Sequence, residues 1–377
     1  MNNLVDDVDA VDAVYIHIPF CNNICAYCDF CKIYYNKKIV ISYLKQLELE
    51  IKANYNHEEI NTLYIGGGTP SSLDIDSLDI LLQLLSLFNL SKDAEITFEA
   101  NPDSLTPKKI KLLKKYGVNR ISLGVETINE SLGELLKRKT SKEKVREVIK
   151  TLKQEGISNI NVDLIYGIKG EDLKILKEDL DFLISLDVFH ISTYSLILED
   201  NTILKIKGYQ ELDPDLDSIM YEYISNYLKE KGFDHYEISN FAKDKYKSKH
   251  NSKYWYNLPY YGFGLGASGY LNNIRYTNTK SITNYLAGKR KLEEEVLTFL
   301  DTIKYEIMLR LRLKEGIDKQ SFFKRYHTNV EDIFLYKPLV EAGYLKETST
   351  NIAILEKYFY VSNTIIVKFL STYIFKK

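Results

Sequence analysis

The chain has 377 residues, a formal net charge of −2 at pH 7 and 45% hydrophobic residues, enough for a large core spread over two or three domains. The nearly neutral charge argues against a broad nucleic-acid-binding surface. No apolar run reaches the roughly 20 residues that span a bilayer, and the acidic stretch MNNLVDDVDAVDAV lacks the basic start and apolar core of a secretory signal. We therefore expect a soluble protein of the reducing cytoplasm.

Six short runs rich in β-branched and aromatic residues predict strands in the first half of the chain: AVYIHIPF (13–20), TLYIGGG (62–68), EITFEANP (95–102), RISLGVE (120–126), NINVDLIYG (159–167) and HISTYSLIL (190–198). Helical patterns lie between them, at 39–53, 75–87, 107–115, 141–154 and 171–185. This alternation predicts parallel strands joined by right-handed crossovers. The strands are nearly apolar along their length, as in a sheet that is covered on both faces.

Polar or glycine-rich residues stand at or just after the end of each predicted strand. They are the cysteine loop, Gly66-Gly67-Gly68-Thr69-Pro70, Glu99-Ala100-Asn101-Pro102, Glu126, Asp163 and Ser195. In parallel α/β folds, sites form at the carboxyl ends of the strands. The sequence therefore predicts a single functional face.

The alternation stops at about residue 200. A helix is predicted at 217–231, followed by a segment dense in Tyr, Asn and Gly at 236–276, which contains a predicted loop at 250–255. From Glu293 the pattern is helical and strongly amphipathic at 302–313, and a short β-like tail follows at 353–355 and 364–369. These features predict a small C-terminal domain of helices with a hairpin.

All four cysteines lie in the segment CNNICAYCDFCK (21–32). Disulfides between such close residues would gain little entropy, so metal binding is the expected role in a reducing compartment. Cys21-x3-Cys25-x2-Cys28 supplies three thiolates, whereas a structural zinc ion prefers four ligands in well-separated pairs. Three thiolates on a cubane iron–sulfur cluster leave one iron open to an exchangeable ligand. A zinc site or a redox-active thiol loop remains the alternative.

The spacing CxxxCxxC, with the aromatic Tyr27 before the last cysteine, resembles the signature of radical S-adenosylmethionine (SAM) enzymes. In that chemistry the amino and carboxylate groups of SAM chelate the open iron, and an electron from the cluster cleaves a carbon–sulfur bond. The Gly66–Gly68 run would let the backbone approach SAM. Carboxylates such as Glu99 and Asp163 would accept from its ribose, and Arg138 would pair with its carboxylate. Taken singly, the glycines equally suit a tight turn and the carboxylates equally suit helix caps.

Longer stretches resemble the HemN/HemW family of radical SAM proteins over nearly the whole chain: YIHIPFCNNICAYCDF, GGGTPS, NRISLGVET, VDLIYGI, HISTYSLILEDNT, YEISNFA and HNSKYW. The resemblance implies an α/β fold, a partial (β/α)6 barrel (1–235), then a connecting segment (236–290) and a smaller C-terminal α+β domain (291–377). It implies a [4Fe–4S] cluster on Cys21, Cys25 and Cys28. The implied SAM contacts are Tyr15, Tyr27, Gly67, Gly68, Thr69, Glu99, Glu126, Arg138 and Asp163.

Three features favour the heme-chaperone branch of this family over the oxygen-independent coproporphyrinogen III oxidases. The oxidases carry a longer N-terminal segment than the fourteen residues before Tyr15 here. They also have a further cysteine two residues after the third ligand, at the position of Phe30. HNSKYW fits the HNxxYW pattern associated with heme binding, and an imidazole can ligate iron while aromatic rings pack on the macrocycle. The implied heme contacts are His250, Asn251, Tyr254 and Trp255.

The resemblance thus implies a protein that binds heme and transfers it to an acceptor protein, with an electron donor as a second partner. No nucleic-acid partner is expected, a membrane-associated acceptor is compatible with the sequence, and the chain is a monomer or a homodimer. The alternative is an oxidase that decarboxylates coproporphyrinogen III. Glu126 departs from the Gln usual in the family, and Cys31 is either incidental, a spare ligand or a redox-sensitive thiol.

Overall fold

The computed structural model describes residues 10–138 and 140–374, the side chains of residues 291 and 292 excepted, so most of the acidic N-terminal stretch lies outside the described residues. In chain order the strands are β1 (Ala13–Ile18), β2 (Phe20–Cys21), β3 (Ile33–Tyr34), β4 (Glu59–Gly67), β5 (Asn89–Ala100), β6 (Arg120–Glu126), β7 (Asn159–Tyr166), β8 (His190–Ser195), β9 (Asp234–Glu237), β10 (Asn240–Ala242), β11 (Tyr261–Phe263), β12 (Ser268–Leu271), β13 (Ile274–Asn278), β14 (Lys291–Val296), β15 (Ile317–Asp318), β16 (Leu345–Glu347) and β17 (Asn351–Ile354). The α-helices are α1 (Lys37–Asn54), α2 (Ile75–Gln83), α3 (Pro107–Lys115), α4 (Glu130–Leu136), α5 (Lys142–Gln154), α6 (Leu173–Ser185), α7 (Ile203–Ile206), α8 (Pro214–Glu230), α9 (Lys249–Trp255), α10 (Ile282–Leu286), α11 (Phe299–Arg310), α12 (Lys319–Tyr326), α13 (Lys337–Glu341) and α14 (Ser362–Leu370).

Nine of the described strands form the central sheet, in the order β11-β1-β4-β5-β6-β7-β8-β10-β9. The six strands predicted in the first half are β1, β4, β5, β6, β7 and β8, and each is parallel to its neighbours in that series. Helices α1, α2, α3, α5 and α6 lie between successive strands. The predicted alternation and its parallel pairing are confirmed, and all six strand ends point to one edge of the sheet.

Local signals in the sequence explain where several of these helices begin. Helix α3 starts at Pro107, behind Thr106, whose side chain accepts from Lys109 N. Helix α5 follows Ser141, whose side chain accepts from Lys144 N. Such caps satisfy backbone donors that have no partner within the first turn of a helix.

The sheet is covered by these helices, and its strands are apolar as predicted. Every residue of β6 is buried, as are five of the six residues of β1. One continuous core joins the sheet to the helices and extends into the C-terminal region. None of the described helices is long and apolar enough to cross a membrane.

Three local predictions in the second half are wrong. Residues 250–255 lie within the helix α9 rather than in a loop, because Ser248 caps that helix by accepting from Asn251 N. Residues from Glu293 to Val296 belong to the strand β14, and the helix begins only at Phe299, behind a Thr298–Asp301 capping box.

The third wrong prediction is the β-like tail at 364–369, which lies in the helix α14. Short apolar runs suit a strand and a buried helix equally well. The buried positions Ile365, Ile366 and Phe369 are spaced as on one face of a helix, whereas the strand predicted near Ala353 is present as β17. The helix α4, at 130–136, was not predicted.

Strand β11 comes from the segment that was predicted to connect two domains. It lies beside β1 in the central sheet, with Val14 opposite Tyr261 and Ile16 opposite Phe263. An added Cβ on Gly262 would lie 1.9 Å from Ser268 O, so the close approach of β11 and the following strand requires glycine. The division of the chain at 235 and 290 stays a prediction.

Candidate functional site

The carboxyl ends of the parallel strands surround one cavity of about 450 Å³. The cysteine loop after β1 forms one side of this cavity, and residues at or after the ends of β4, β5, β6 and β7 form most of the remainder. The structure brings together all the predicted cluster and SAM residues except Tyr15. Those lining the cavity are Cys21, Cys25, Tyr27, Cys28, Gly67, Gly68, Thr69, Glu99, Glu126, Arg138 and Asp163.

The three cysteines of the CxxxCxxC pattern are free thiols in the wall of this cavity. Cys21 is buried, with Sγ 3.5 Å from Thr69 Oγ1, while Cys25 and Cys28 are half-buried. Burial raises the pKa of all three thiols, that of Cys21 to about 11. They therefore require a nearby cation, such as a bound metal, to be thiolates at neutral pH. Within residues 10–138 and 140–374, no three His, Cys, Asp or Glu side chains converge closely enough to hold a single metal ion.

The glycine run at the end of β4 packs against the cysteine loop. Gly67 has a φ of +120°, and an added Cβ there would lie 2.6 Å from His17 Cε1. A Cβ on Gly68 would lie 2.9 Å from Cys21 Sγ and 2.8 Å from the carbonyl carbon of Pro19. Side chains are excluded at both positions because the chain's own atoms occupy the space. The cavity wall at these two residues is therefore bare backbone.

Two carboxylates face the cavity from β5 and β7, the strands on either side of β6. Glu99 accepts from Tyr64 Oη at 2.7 Å and from Gly67 N at 2.9 Å, and burial raises its pKa to about 7. Asp163 accepts from Asn161 Nδ2 at 2.7 Å and from Ser122 Oγ at 3.2 Å, and burial also raises its pKa. Each carboxylate keeps part of its surface open and has remaining lone pairs for a ligand's hydroxyl or amino groups.

Arg138 and Glu126 bring opposite charges into the same cavity. Arg138 Nη2 lies 2.8 Å from Glu126 Oε1 and also donates to Gly124 O at 2.9 Å. Burial raises the pKa of Glu126, and the guanidinium partly offsets this effect. Arg138 Nε is buried and has no hydrogen-bond partner among the described residues. A buried donor of this kind is costly unless a ligand satisfies it.

Comparison with known proteins assigns the fold and the family. Residues 15–183 match the model of the Radical SAM superfamily. The heme chaperone HemW of Lactococcus lactis is 37% identical over 369 residues, which cover 95% of this chain and 97% of the relative. The chain belongs to the HemW family of heme chaperones. HemW of Bacillus subtilis is 36% identical over 90% of this chain and 93% of its own length.

A solved structure gives the same fold. Coproporphyrinogen III oxidase (HemN) of Escherichia coli, described as a radical SAM enzyme, matches with a TM-score of 0.84 over 97% of this chain and 91% of its own. Its sequence identity of 20% means that this likeness shows the fold alone. The predicted α/β radical SAM barrel with a smaller C-terminal region is confirmed.

The HNSKYW segment of this HemW-family chain lies outside the cavity, on α9. His250 is fully buried, with Nδ1 3.0 Å from Thr62 Oγ1 and Nε2 2.7 Å from Tyr254 Oη. Burial lowers its pKa to about 3, so the ring is neutral and both of its nitrogens have partners within the protein. Asn251 and Trp255 are half-buried, and Tyr254 lines an open cleft.

Tyr15, the remaining predicted SAM contact, also lines that second cleft and not the cavity. Conversely, Tyr64, Ser122 and Tyr194 line the cavity and were not predicted. The alternation of a strand gives a signal for Ser122, because it lies two residues before Gly124 on the cavity face of β6. Tyr64 and Tyr194 have no such signal, since aromatic residues are common in any strand.

Proposed function

We propose that the chain holds a [4Fe–4S] cluster on Cys21, Cys25 and Cys28, binds SAM beside it, and binds heme for transfer to an acceptor protein. The observation that carries the proposal is the convergence of three free thiols, a glycine wall, two carboxylates and an arginine on one cavity. Membership of the HemW family supports the heme role.

The residues present fit a cluster with SAM as its ligand. The cysteines come from one loop and line one cavity, so their three thiolates would hold different irons of a cluster and leave a fourth iron for another ligand. Arg138 Nε is a buried donor without a hydrogen-bond partner among the described residues, and the carboxylate of SAM would supply the acceptor. When bound, the cluster and SAM supply one-electron cleavage of a carbon–sulfur bond.

The protein's own groups orient the ligand and keep water away. Arg138 would donate to the SAM carboxylate, and Glu99 and Asp163 would accept from its ribose hydroxyls or its amino group. The bare backbone at Gly67 and Gly68 would lie flat against the methionine part. Because burial raises the pKa of Glu99 to about 7, this carboxyl also has access to its protonated form near neutral pH.

Two partners follow from this function: an electron donor for the cluster and a protein that accepts heme, which could be bound to a membrane. Neither nucleic acid nor a particular oligomeric state enters the proposal, and both a monomer and a homodimer are compatible with it. Four free cysteines suit a reducing compartment, which supports a cytoplasmic location.

The experiment that tests the proposal combines three measurements on anaerobically reconstituted protein. Iron and sulfide content should show about four iron atoms per chain. Equilibrium dialysis should show SAM binding that depends on the cluster, and titration should show heme binding near one equivalent. Transfer of heme to an apo-protein acceptor, followed by its visible spectrum, completes the test.

A product assay distinguishes the chaperone from the oxidase alternative. With SAM, a reductant and coproporphyrinogen III, we expect no protoporphyrinogen IX. Formation of that product would favour the oxidase, whereas failure to bind heme under any of these conditions would remove the chaperone function.

A further inference from the structure

A second cleft, of about 550 Å³, lies on the other side of the cysteine loop. Asp29 and Phe30 line both the cleft and the cavity, so this short piece of loop forms the wall between them. Four aromatic rings line the cleft, and its volume is in the range typical of small-molecule sites. The rings belong to Tyr15, Phe30, Tyr254 and Tyr260.

The floor of this cleft is fixed by hydrogen bonds. Cys31 O can only accept, so His17 Nε2 donates to it, at 2.8 Å. Burial lowers the pKa of His17 to about 4, so the ring is neutral and its Nδ1 accepts from Tyr15 Oη, at 3.0 Å. Both nitrogens of His17 are thereby used, and Tyr15 presents its ring to the cleft in a set orientation.

The HNSKYW segment reaches the same cleft through Tyr254. His250 hydrogen-bonds to Tyr254 Oη at 2.7 Å, and its ring packs between Tyr64 and Tyr254 with centroid distances of 5.2 and 5.0 Å. Tyr254 in turn packs edge-on against Tyr260, with ring centroids 4.6 Å apart. His250 therefore acts as a positioning residue that holds an aromatic wall in place.

Cys31 gives the cleft an atom that can bind a metal. Its thiol is free and half-buried, and no described residue forms a hydrogen bond with its Sγ. Gly266 has a φ of +71°, and a Cβ at this position would lie 2.9 Å from Cys31 Sγ. Because glycine has no Cβ, the Cys31 thiol fits here without a steric clash. The exposed Lys280 also lines the cleft, together with the carboxylates Asp29 and Glu293.

We propose that this cleft is the heme site, with Cys31 as the iron ligand, the tyrosine rings against the macrocycle and Lys280 paired with a propionate; this rests on the proposed function. The flat tetrapyrrole of heme can pack against the aromatic walls of the cleft, and a thiolate is an established ligand of heme iron. Asp29 and Glu293 also line the cleft and would repel a propionate, so a propionate is favourable only beside the ammonium group of Lys280. On ligation the thiol releases its proton to solvent and the thiolate sulfur forms a bond to ferric iron, with no change of redox state.

The test is a heme titration of the full-length, cluster-loaded chain and its variants. In Cys31→Ala, heme affinity should fall by at least about tenfold, and the ferrous–CO spectrum should lose the signature of thiolate ligation. Cys31→His should restore affinity with an imidazole-type spectrum. His250→Ala should weaken binding less and keep the thiolate signature, because it only loosens Tyr254. Ser42→Ala, on the exposed face of α1 and away from the cleft, is the control, and iron content verifies folding in each variant.

Two results would overturn the inference and leave the proposed function standing. One is wild-type affinity and spectrum in Cys31→Ala, and the other is loss of the ligand signature in His250→Ala alone. Absence of heme binding by the wild-type chain would instead remove the proposed function itself.

Discussion

Glu126 and Arg138 form an ion pair in which both side chains are about nine-tenths buried, with Oε1 2.8 Å from Nη2. One donor of the arginine is not used by this pair, because Arg138 Nε has no hydrogen-bond partner in the described part of the chain. A carboxylate ligand would therefore meet a guanidinium whose charge is already partly balanced by Glu126.

Glu126→Gln should tighten SAM binding several-fold. The Gln side chain can still accept from Arg138 Nη2 but carries no charge, so the positive charge of the arginine is left for the carboxylate of the ligand. Equilibrium dialysis with labelled SAM measures the change. Glu134→Gln, on the exposed face of α4, is the control. Weaker binding in Glu126→Gln would mean that Glu126 itself contacts SAM.

Replacing Cys21, Cys25 or Cys28 by Ala should abolish the cluster, because all three line the cavity wall and each would supply one thiolate to the proposed cluster. Cys31→Ala should keep about four iron atoms per chain, since Cys31 faces the second cleft. Iron and sulfide analysis after anaerobic reconstitution checks both. Zinc in the purified wild type, without iron–sulfur absorbance, would contradict the cluster assignment.

Asp163→Asn and Glu99→Gln should weaken SAM binding while iron content is unchanged. Both carboxylates line the cavity and keep lone pairs that are free to accept, so each substitution removes an acceptor without touching the thiols. A matched control is Asp179→Asn, a buried carboxylate outside the cavity that accepts from Thr127 Oγ1 at 2.7 Å and Ile128 N at 2.8 Å. Loss of iron in the first two variants would show that these carboxylates act structurally.

Glu171→Gln should change how stability depends on pH. Glu171 is 3% exposed, one of its oxygens has no partner within residues 10–138 and 140–374, and burial raises its pKa to about 8. Between pH 4.5 and 8 the native state therefore binds the proton more tightly than the unfolded state. The contribution of this group to stability falls as pH rises through that window, by up to about 1.4 kcal/mol per unit.

Urea unfolding from pH 5 to pH 8 measures this effect as the difference between wild type and Glu171→Gln. The variant should gain stability relative to wild type as the pH rises. The control is Glu347→Gln, because ion pairs with Lys319 and Lys337 lower the pKa of Glu347 to about 2, so that its difference from wild type should vary little in this range. A flat difference for Glu171→Gln would refute a raised pKa.

Much of the fold in the first half of the chain could be predicted, because the local sequence pattern of each segment there matches its place in the folded structure. Apolar runs marked the strands, Thr106 and Ser141 marked helix starts, and strand ends marked the cavity. In the second half the pattern is ambiguous, since a short apolar run such as the one at 364–369 suits a strand or a helix. Its state is decided by what it packs against, and that partner is remote in sequence.

The candidate site likewise contains some features that the sequence predicts and others that only the fold brings about. The cysteines and glycines carry a spacing that can be read directly, and they do line one cavity. The hydrogen bond between His250 and Thr62 could not be predicted, because Thr62 lies far away along the chain and only the fold brings the two together. The orientation of Tyr15 depends in the same way on His17 and on the loop that follows it.

Strand β11 reaches the central sheet from far along the chain and pairs with β1, directly before the cysteine loop. The edge of the sheet next to that loop is therefore completed only after residue 263 has been synthesised. Contacts between such distant segments form slowly, because a long loop of chain must first be closed. A nascent chain that has not been made up to that point lacks one neighbour of β1, so we expect metal loading only after β11 has been synthesised and has paired with β1.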